Sequence, residues 1–178
     1  MTMSPFLRKV VLTAHVTTSL GWLGAVAAYI ALDVAAVAGQ DVQTVRSAYL
    51  SMELIAWYVI VPLALASVLI GLINALGTSW GLFRHYWVLV KFLLTLLATA
   101  VLLVETQTVS SMADVAASGA DPRSLPGSLP HSVGGLVVLV VITILSVVKP
   151  RGLTRYGWRK QEQQRRDERA RRPFPSSR

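Results

Sequence analysis

Five polar side chains interrupt the long apolar runs of this chain at similar depth: His15, Asn74, Lys91, Thr143 and Ser146. An imidazole, an ammonium and an amide held together in an apolar surrounding can bind an anionic or polar ligand, or relay a proton. Counted at 1.5 Å per helical residue, His15 lies about 9 Å in from Lys9 and Lys91 about 10 Å in from Arg84. Asn74 and Ser146 approach the same half from helices running the other way, and Thr143 sits a little deeper. His15, Thr18, Ser19 and Trp22 recur at i, i+3, i+4 and i+7, and Lys91, Thr95 and Thr99 at i, i+4 and i+8, so each set occupies one helix face. With both faces turned inward they form a polar, cationic pocket, open toward the cytoplasm, whose expected ligand-binding residues are His15, Ser19, Trp22, Asn74, Lys91 and Thr95. The plainer reading is that His15 hydrogen-bonds a neighbouring helix while Lys91 snorkels along its own stem to the headgroup level.

The three histidines, His15, His85 and His131, are the candidate cofactor ligands, because imidazole is a common axial ligand of haem. Two axial ligands need nearly the same depth, yet His131 lies roughly 18 Å above His15 and His85 about 9 Å below it. No cofactor is therefore expected, and haem b is the alternative. No metal site is expected either, since there is no histidine pair at i, i+3 or i+4 and no cysteine. H-E-x-x-H is absent, and no Ser, His and Asp share one depth, so no catalytic residue is assigned.

The elements that carry these residues follow from the apolar runs. The chain has 178 residues, enough for one domain, and its 53% hydrophobic content exceeds that of an ordinary soluble domain. Residues 10–32 and 54–76 are each 23 residues long without Asp, Glu, Lys or Arg. A hydrocarbon core needs about 20 helical residues, so each run is long enough to span. Residues 133–148 are aliphatic apart from Gly, Thr and Ser, and 82–104 form a third span that carries Arg84, His85 and Lys91 in its first half. The expected fold class is all-α: a four-helix transmembrane bundle with spans at about 9–32, 54–76, 83–104 and 131–149 in a domain of residues 1–150. A basic tail, 151–178, follows. The length of the first run favours a retained helix over a signal peptide, although Ala36-Val37-Ala38 resembles a cleavage site. Loops are expected at 33–53, 77–81 and 105–130, the first part of the last, 106–117, being able to continue its helix. Pro62 in mid-span predicts a kink, and Gly21, Gly24, Gly71, Gly134 and Gly135 predict close helix approach.

Loop charge sets the expected orientation. Fifteen of the 17 Lys and Arg residues fall on the side of the termini, and only Arg46 and Arg123 on the other. Basic residues are retained in the cytoplasm, so the predicted topology is N-in, C-in. Asp33, Asp41, Glu53, Glu105, Asp114 and Asp121 border the opposite loops. From Lys149 onward the chain carries 11 basic and 3 acidic residues, a net +8. Such a segment beside a membrane helix is drawn to anionic lipid, with Arg151, Arg155, Arg159 and Lys160 as its expected contacts and Tyr156 and Trp158 as interfacial anchors. Lipid is the expected partner and nucleic acid is not, for want of any recognition motif. Four helices enclose little volume, so a homo-oligomer or a larger membrane complex is the expected assembly.

His15 with Trp22-Leu23-Gly24, Phe83-Arg84-His85-Tyr86-Trp87 with Lys91, and Lys149-Pro150-Arg151-Gly152-Leu153-Thr154-Arg155-Tyr156-Gly157 are similar to the corresponding stretches of a family of small bacterial four-helix integral membrane proteins of unknown function. The similarity covers residues 8–160 and implies a bacterial plasma membrane. The His-x6-Trp-Leu-Gly opening also resembles the first helix of copper-resistance D-type membrane proteins, which are linked to copper uptake. The chain departs from these in its methionines: Met1, Met3, Met52 and Met112 all lie outside the membrane centre. Taken together, the residues rank a non-enzymatic ligand-binding or transport unit, or an accessory subunit, first. A haem- or metal-binding redox protein comes second and a membrane enzyme third.

Overall fold

A computed structural model of the chain describes residues 3–77, 82–150 and 152–171. The described residues form five helices and no strand: α1 Pro5–Ala38, α2 Val42–Gly77, α3 Tyr86–Ala117, α4 Leu129–Val148 and α5 Arg155–Arg171. The first four are long and apolar enough to cross a membrane. Local chemistry marks their ends. Ser4 caps α1, its hydroxyl accepting from the Leu7 amide with Pro5 in the first turn. The Asp41 carboxylate caps α2, accepting from both the amide and the hydroxyl of Thr44 at 2.8 Å. At the end of α4, Lys149 adopts a left-handed conformation with φ 46°, and Pro150 follows it.

Three helices run further than the apolar runs. The stretch 33–53, expected as a loop, is almost wholly helical: α1 continues through Asp33 to Ala38, and α2 starts at Val42. Asp33 and Glu53 interrupt the apolar pattern without interrupting the helix, because the end of a hydrocarbon-compatible run and the end of a backbone ladder are set by different forces. α3 likewise continues to Ala117. Pro62 acts through the turn before it, where residues Ala56–Ile60 form a π-turn. Proline supplies no N–H to the carbonyl one turn back, and a wider turn at that place accommodates the loss.

The four long helices close a ring in which α1 packs on α2 and α4, and α3 packs on the same two. The tightest core lies at one end, where Tyr49, Met52 and Val45 are wholly buried among Ala36, Val109, Met112 and Ala116. This acidic end carries Asp33, Asp41, Glu53, Glu105, Asp114 and Asp121. Around the ring the outward surface is aliphatic, with Leu97 59% and Val147 75% exposed. Water would not tolerate so continuous an apolar surface, whereas hydrocarbon covers it without cost.

The opposite, basic end holds the chain termini of the bundle and fastens the tail. His85 forms an antiparallel bridge with Leu153, the Tyr86 amide donates to the Gly152 carbonyl, and the Thr154 amide donates to the Arg84 carbonyl at 3.0 Å. The Thr154 hydroxyl donates to the Phe83 carbonyl. Gly157 lies so close to the Arg84 carbonyl that a Cβ would come within 2.4 Å of it. The start of α5 is thus packed onto the segment that precedes α3.

Candidate functional site

A cleft of about 340 Å³ opens in the half of the ring nearer the acidic end. Trp22, Val26 and Tyr29 of α1 and Ile60 of α2 form its inner wall, while Leu102 and Glu105 of α3 and His131 and Leu139 of α4 flank it. Leu97, Val101 and Gly134 line it and are themselves exposed, so it opens sideways between α3 and α4. Gly134 and Gly135 were natural candidates for close helix approach, but a Cβ on either would meet nothing within 4 Å. Their missing side chains enlarge the cleft instead. The lining is almost wholly apolar, and at its rim His131 Nε2 stands 3.5 Å from Glu105 Oε1.

Behind Tyr29 lies the most deeply buried polar group of the described residues. Asp33 has no solvent exposure, and its carboxylate accepts from the Ser128 amide at 3.1 Å, the Ser128 hydroxyl at 2.8 Å and the Ser132 hydroxyl at 3.0 Å. The Tyr29 hydroxyl lies 2.9 Å from the Ser128 oxygen. A serine hydroxyl has one proton, which here goes to Asp33, so Tyr29 must donate to Ser128. The order of donation therefore runs from Tyr29 at the cleft, through Ser128, to Asp33. These bonds tie α1 to the first turn of α4.

The exposed connections at this end are pinned by charge. Arg123 bonds Asp121 through Nη2 at 2.6 Å and reaches the Gln40 carbonyl, and Arg46 reaches the Ala120 carbonyl. The Arg123 guanidinium beside Asp121 holds its carboxyl down to about 2, so this pin stays ionised at ordinary pH. The Thr44 hydroxyl and amide hold the Asp41 carboxyl below its ordinary range in the same way.

The residues expected to form a pocket in the other half are arranged as follows. The His15 ring rests on Gly71, where a Cβ would come within 2.9 Å of it, and its Nδ1 is buried without a hydrogen-bond partner among the described residues. Ser19 and Ser67 join α1 to α2 through a 2.7 Å hydroxyl pair. Lys91 holds its ammonium 5.8 Å from the centre of the Trp87 ring. The Thr95 hydroxyl is turned to the Lys91 carbonyl, and Thr99, Thr143 and Ser146 likewise bond back to their own helices. Asn74 is half-buried, and Trp22 belongs to the cleft at the other end. The histidines occupy three separate places: His15 against α2, His85 beside Leu153, and His131 beside Glu105. Of the tail residues, Arg155, Arg159 and Lys160 are exposed on α5, and Arg151 lies outside the described residues.

Sequence reasoning noted Glu105, His131 and Gly134-Gly135 one at a time and did not join them. The usable signal was a carboxylate closing the third span opposite a histidine opening the fourth, with two glycines one turn further on. Gly77-Thr78-Ser79-Trp80-Gly81 also spells G-x-S-x-G. A nucleophile turn of that kind needs a preceding strand, whereas here it follows helix α2, and residues 78–81 lie outside the described ones. Among the described residues no three His, Asp or Glu side chains gather as metal ligands would. Comparison of the chain with protein-family models, with curated proteins and with solved structures gave no match.

Proposed function

We propose that the chain is a non-enzymatic, multi-pass plasma-membrane protein, with both termini cytoplasmic, that binds a small amphipathic molecule in the cleft between α3 and α4. One observation carries this reading: a side-opening apolar cleft with its polar pair, Glu105 and His131, gathered at one rim. Its volume lies in the roughly 300–1,000 Å³ range of small-molecule sites. An apolar body entering from the bilayer would lie against Trp22, Val26 and Leu102, and a polar head would reach the rim at the acidic end. Gly135→Leu tests the reading, because Gly135 lines the cleft and a Cβ there meets nothing within 4 Å, so that the larger side chain takes up cleft volume. In equilibrium dialysis against neopentylbenzene, corrected for empty nanodiscs, the variant is expected to lose the protein-dependent binding. Unchanged binding would refute the cleft as the site.

A second reading concerns the tail, and its support is the anchoring of α5. The bonds from Thr154 to the Phe83 and Arg84 carbonyls fix the start of the helix at the basic end, while Tyr156 and Trp158 remain exposed beside Arg155, Arg159 and Lys160. We infer that α5 lies on anionic headgroups, each basic residue near the surface contributing about 1 kcal/mol. The chain contains no cysteine, so Trp158→Cys gives a single site for an environment-sensitive dye. Its emission should shift to the blue in proteoliposomes containing anionic lipid, and the shift should be reversed by about 1 M salt. The same shift in neutral vesicles would show that charge is not what holds the helix.

A further inference from the structure

We propose that the cleft selects lipophilic ammonium ions, an assignment that rests on the cleft being the ligand site. Its lining contains no Lys, Arg or Asp, and includes one carboxylic acid, Glu105, and one imidazole, His131. The pairing of those two is loose: 3.5 Å is well beyond the roughly 2.7–2.9 Å of a tight charge-assisted hydrogen bond. The Glu105 side chain is 22% exposed and that of His131 59%, so the imidazole can turn aside while the carboxylate stays at the cleft. Two aromatic side chains, Trp22 and Tyr29, line the same space, and both are buried in the ring of helices. A carboxylate together with aromatic faces is the combination that recognises a substituted ammonium ion, through charge at one side and the ring quadrupole at the other.

The surroundings act in the same direction. Asp33 lies behind Tyr29, and the acidic end carries Asp33, Asp41, Glu53, Glu105, Asp114 and Asp121 against only Arg46 and Arg123. An excess of negative charge around a cleft with apolar walls raises the local concentration of cations and opposes anions.

Benzyltrimethylammonium and neopentylbenzene have nearly the same shape and differ in charge, so together they separate this inference from the reading beneath it. The full chain in nanodiscs is expected to bind the cation roughly ten- to hundredfold more tightly than the neutral isostere. Glu105→Gln should remove that excess, lowering the binding of the cation far more than that of the isostere. Glu105→Asp, which keeps the charge, should retain part of the excess and so guards against a folding defect. His131→Asn, by removing the competing partner of Glu105, should raise affinity for the cation severalfold. Equal binding of the two probes, or an equal loss of both in Glu105→Gln, would overturn cation selection while leaving the cleft intact. If Gly135→Leu alters the binding of neither probe, the cleft itself is refuted.

Discussion

Replacing Asp33 by alanine is expected to lower the melting temperature of the purified protein by roughly 10 °C, the largest loss of any single substitution at the acidic end. The carboxylate is wholly buried and serves three donors, the Ser128 amide and the hydroxyls of Ser128 and Ser132. Alanine leaves the Ser128 amide without an acceptor in a place that solvent does not reach and takes the carboxylate from both hydroxyls, that of Ser132 keeping the Leu129 carbonyl at 3.2 Å; each donor left unpaired costs about 1–3 kcal/mol. The backbone offers little relief. Gly127, immediately before Ser128, has φ +68°, and a Cβ there would come within 2.5 Å of Val37. The segment is therefore held in one path and cannot swing its amide outward. Asp33→Asn retains a carbonyl oxygen that can accept from Ser128, so a smaller loss, about half, is expected. Thermal unfolding followed by circular dichroism in detergent measures both. If Asp33→Ala melts with the parent protein, the network contributes no net stability and its burial serves something else.

The second large effect is all-or-none. A reporter active only in the cytoplasm should work when fused after Arg178 and be silent when fused at Gln40 or Gly119. The basis is the split of basic residues, 15 on the side of the termini and 2 on the other, in short connections where that bias governs insertion. Both silent positions lie at the acidic end, after α1 and after α3. Gly119 suits an insertion, since nothing approaches within 4 Å of where its Cβ would be. The opposite pattern would invert the orientation, and the cleft would then open toward the cytoplasmic leaflet.

The apolar runs locate the four long helices because hydrocarbon length and helical rise leave few alternatives for 23 uncharged residues. They mislead at Asp33. A carboxylate ending an apolar run reads as the start of a loop, and the hydrogen bonds it accepts from Ser128 and Ser132, almost a hundred positions later, leave no local trace. Pro62 announces a disturbance correctly, but which turn takes it up depends on the packing of Ala56 and Ile60 against neighbouring helices. For the site, counting depth along each helix brings His15 and Lys91 to one level. Counting depth says nothing about where helices splay apart. The cleft is a property of the gap between α3 and α4, and the glycines that widen it are indistinguishable in sequence from glycines that close one. Gly71, on which His15 rests, and Gly135, which meets nothing, differ only in what lies opposite.

The π-turn in α2 has a consequence for changes in chain length. Met52, Ala56, Ile60 and Ala64 are all buried and recur every four residues. On a regular helix each such step overshoots a full turn by about 40°, and three of them would carry Ala64 a third of the way around the axis. The wider turn at Ala56–Ile60 takes up that excess, so the two halves of α2 keep their own angular settings. A residue lost at this turn is absorbed by conversion of the π-turn to α winding. The contact of Ser67 with Ser19 on one side and the burial of Tyr49 on the other would both survive it.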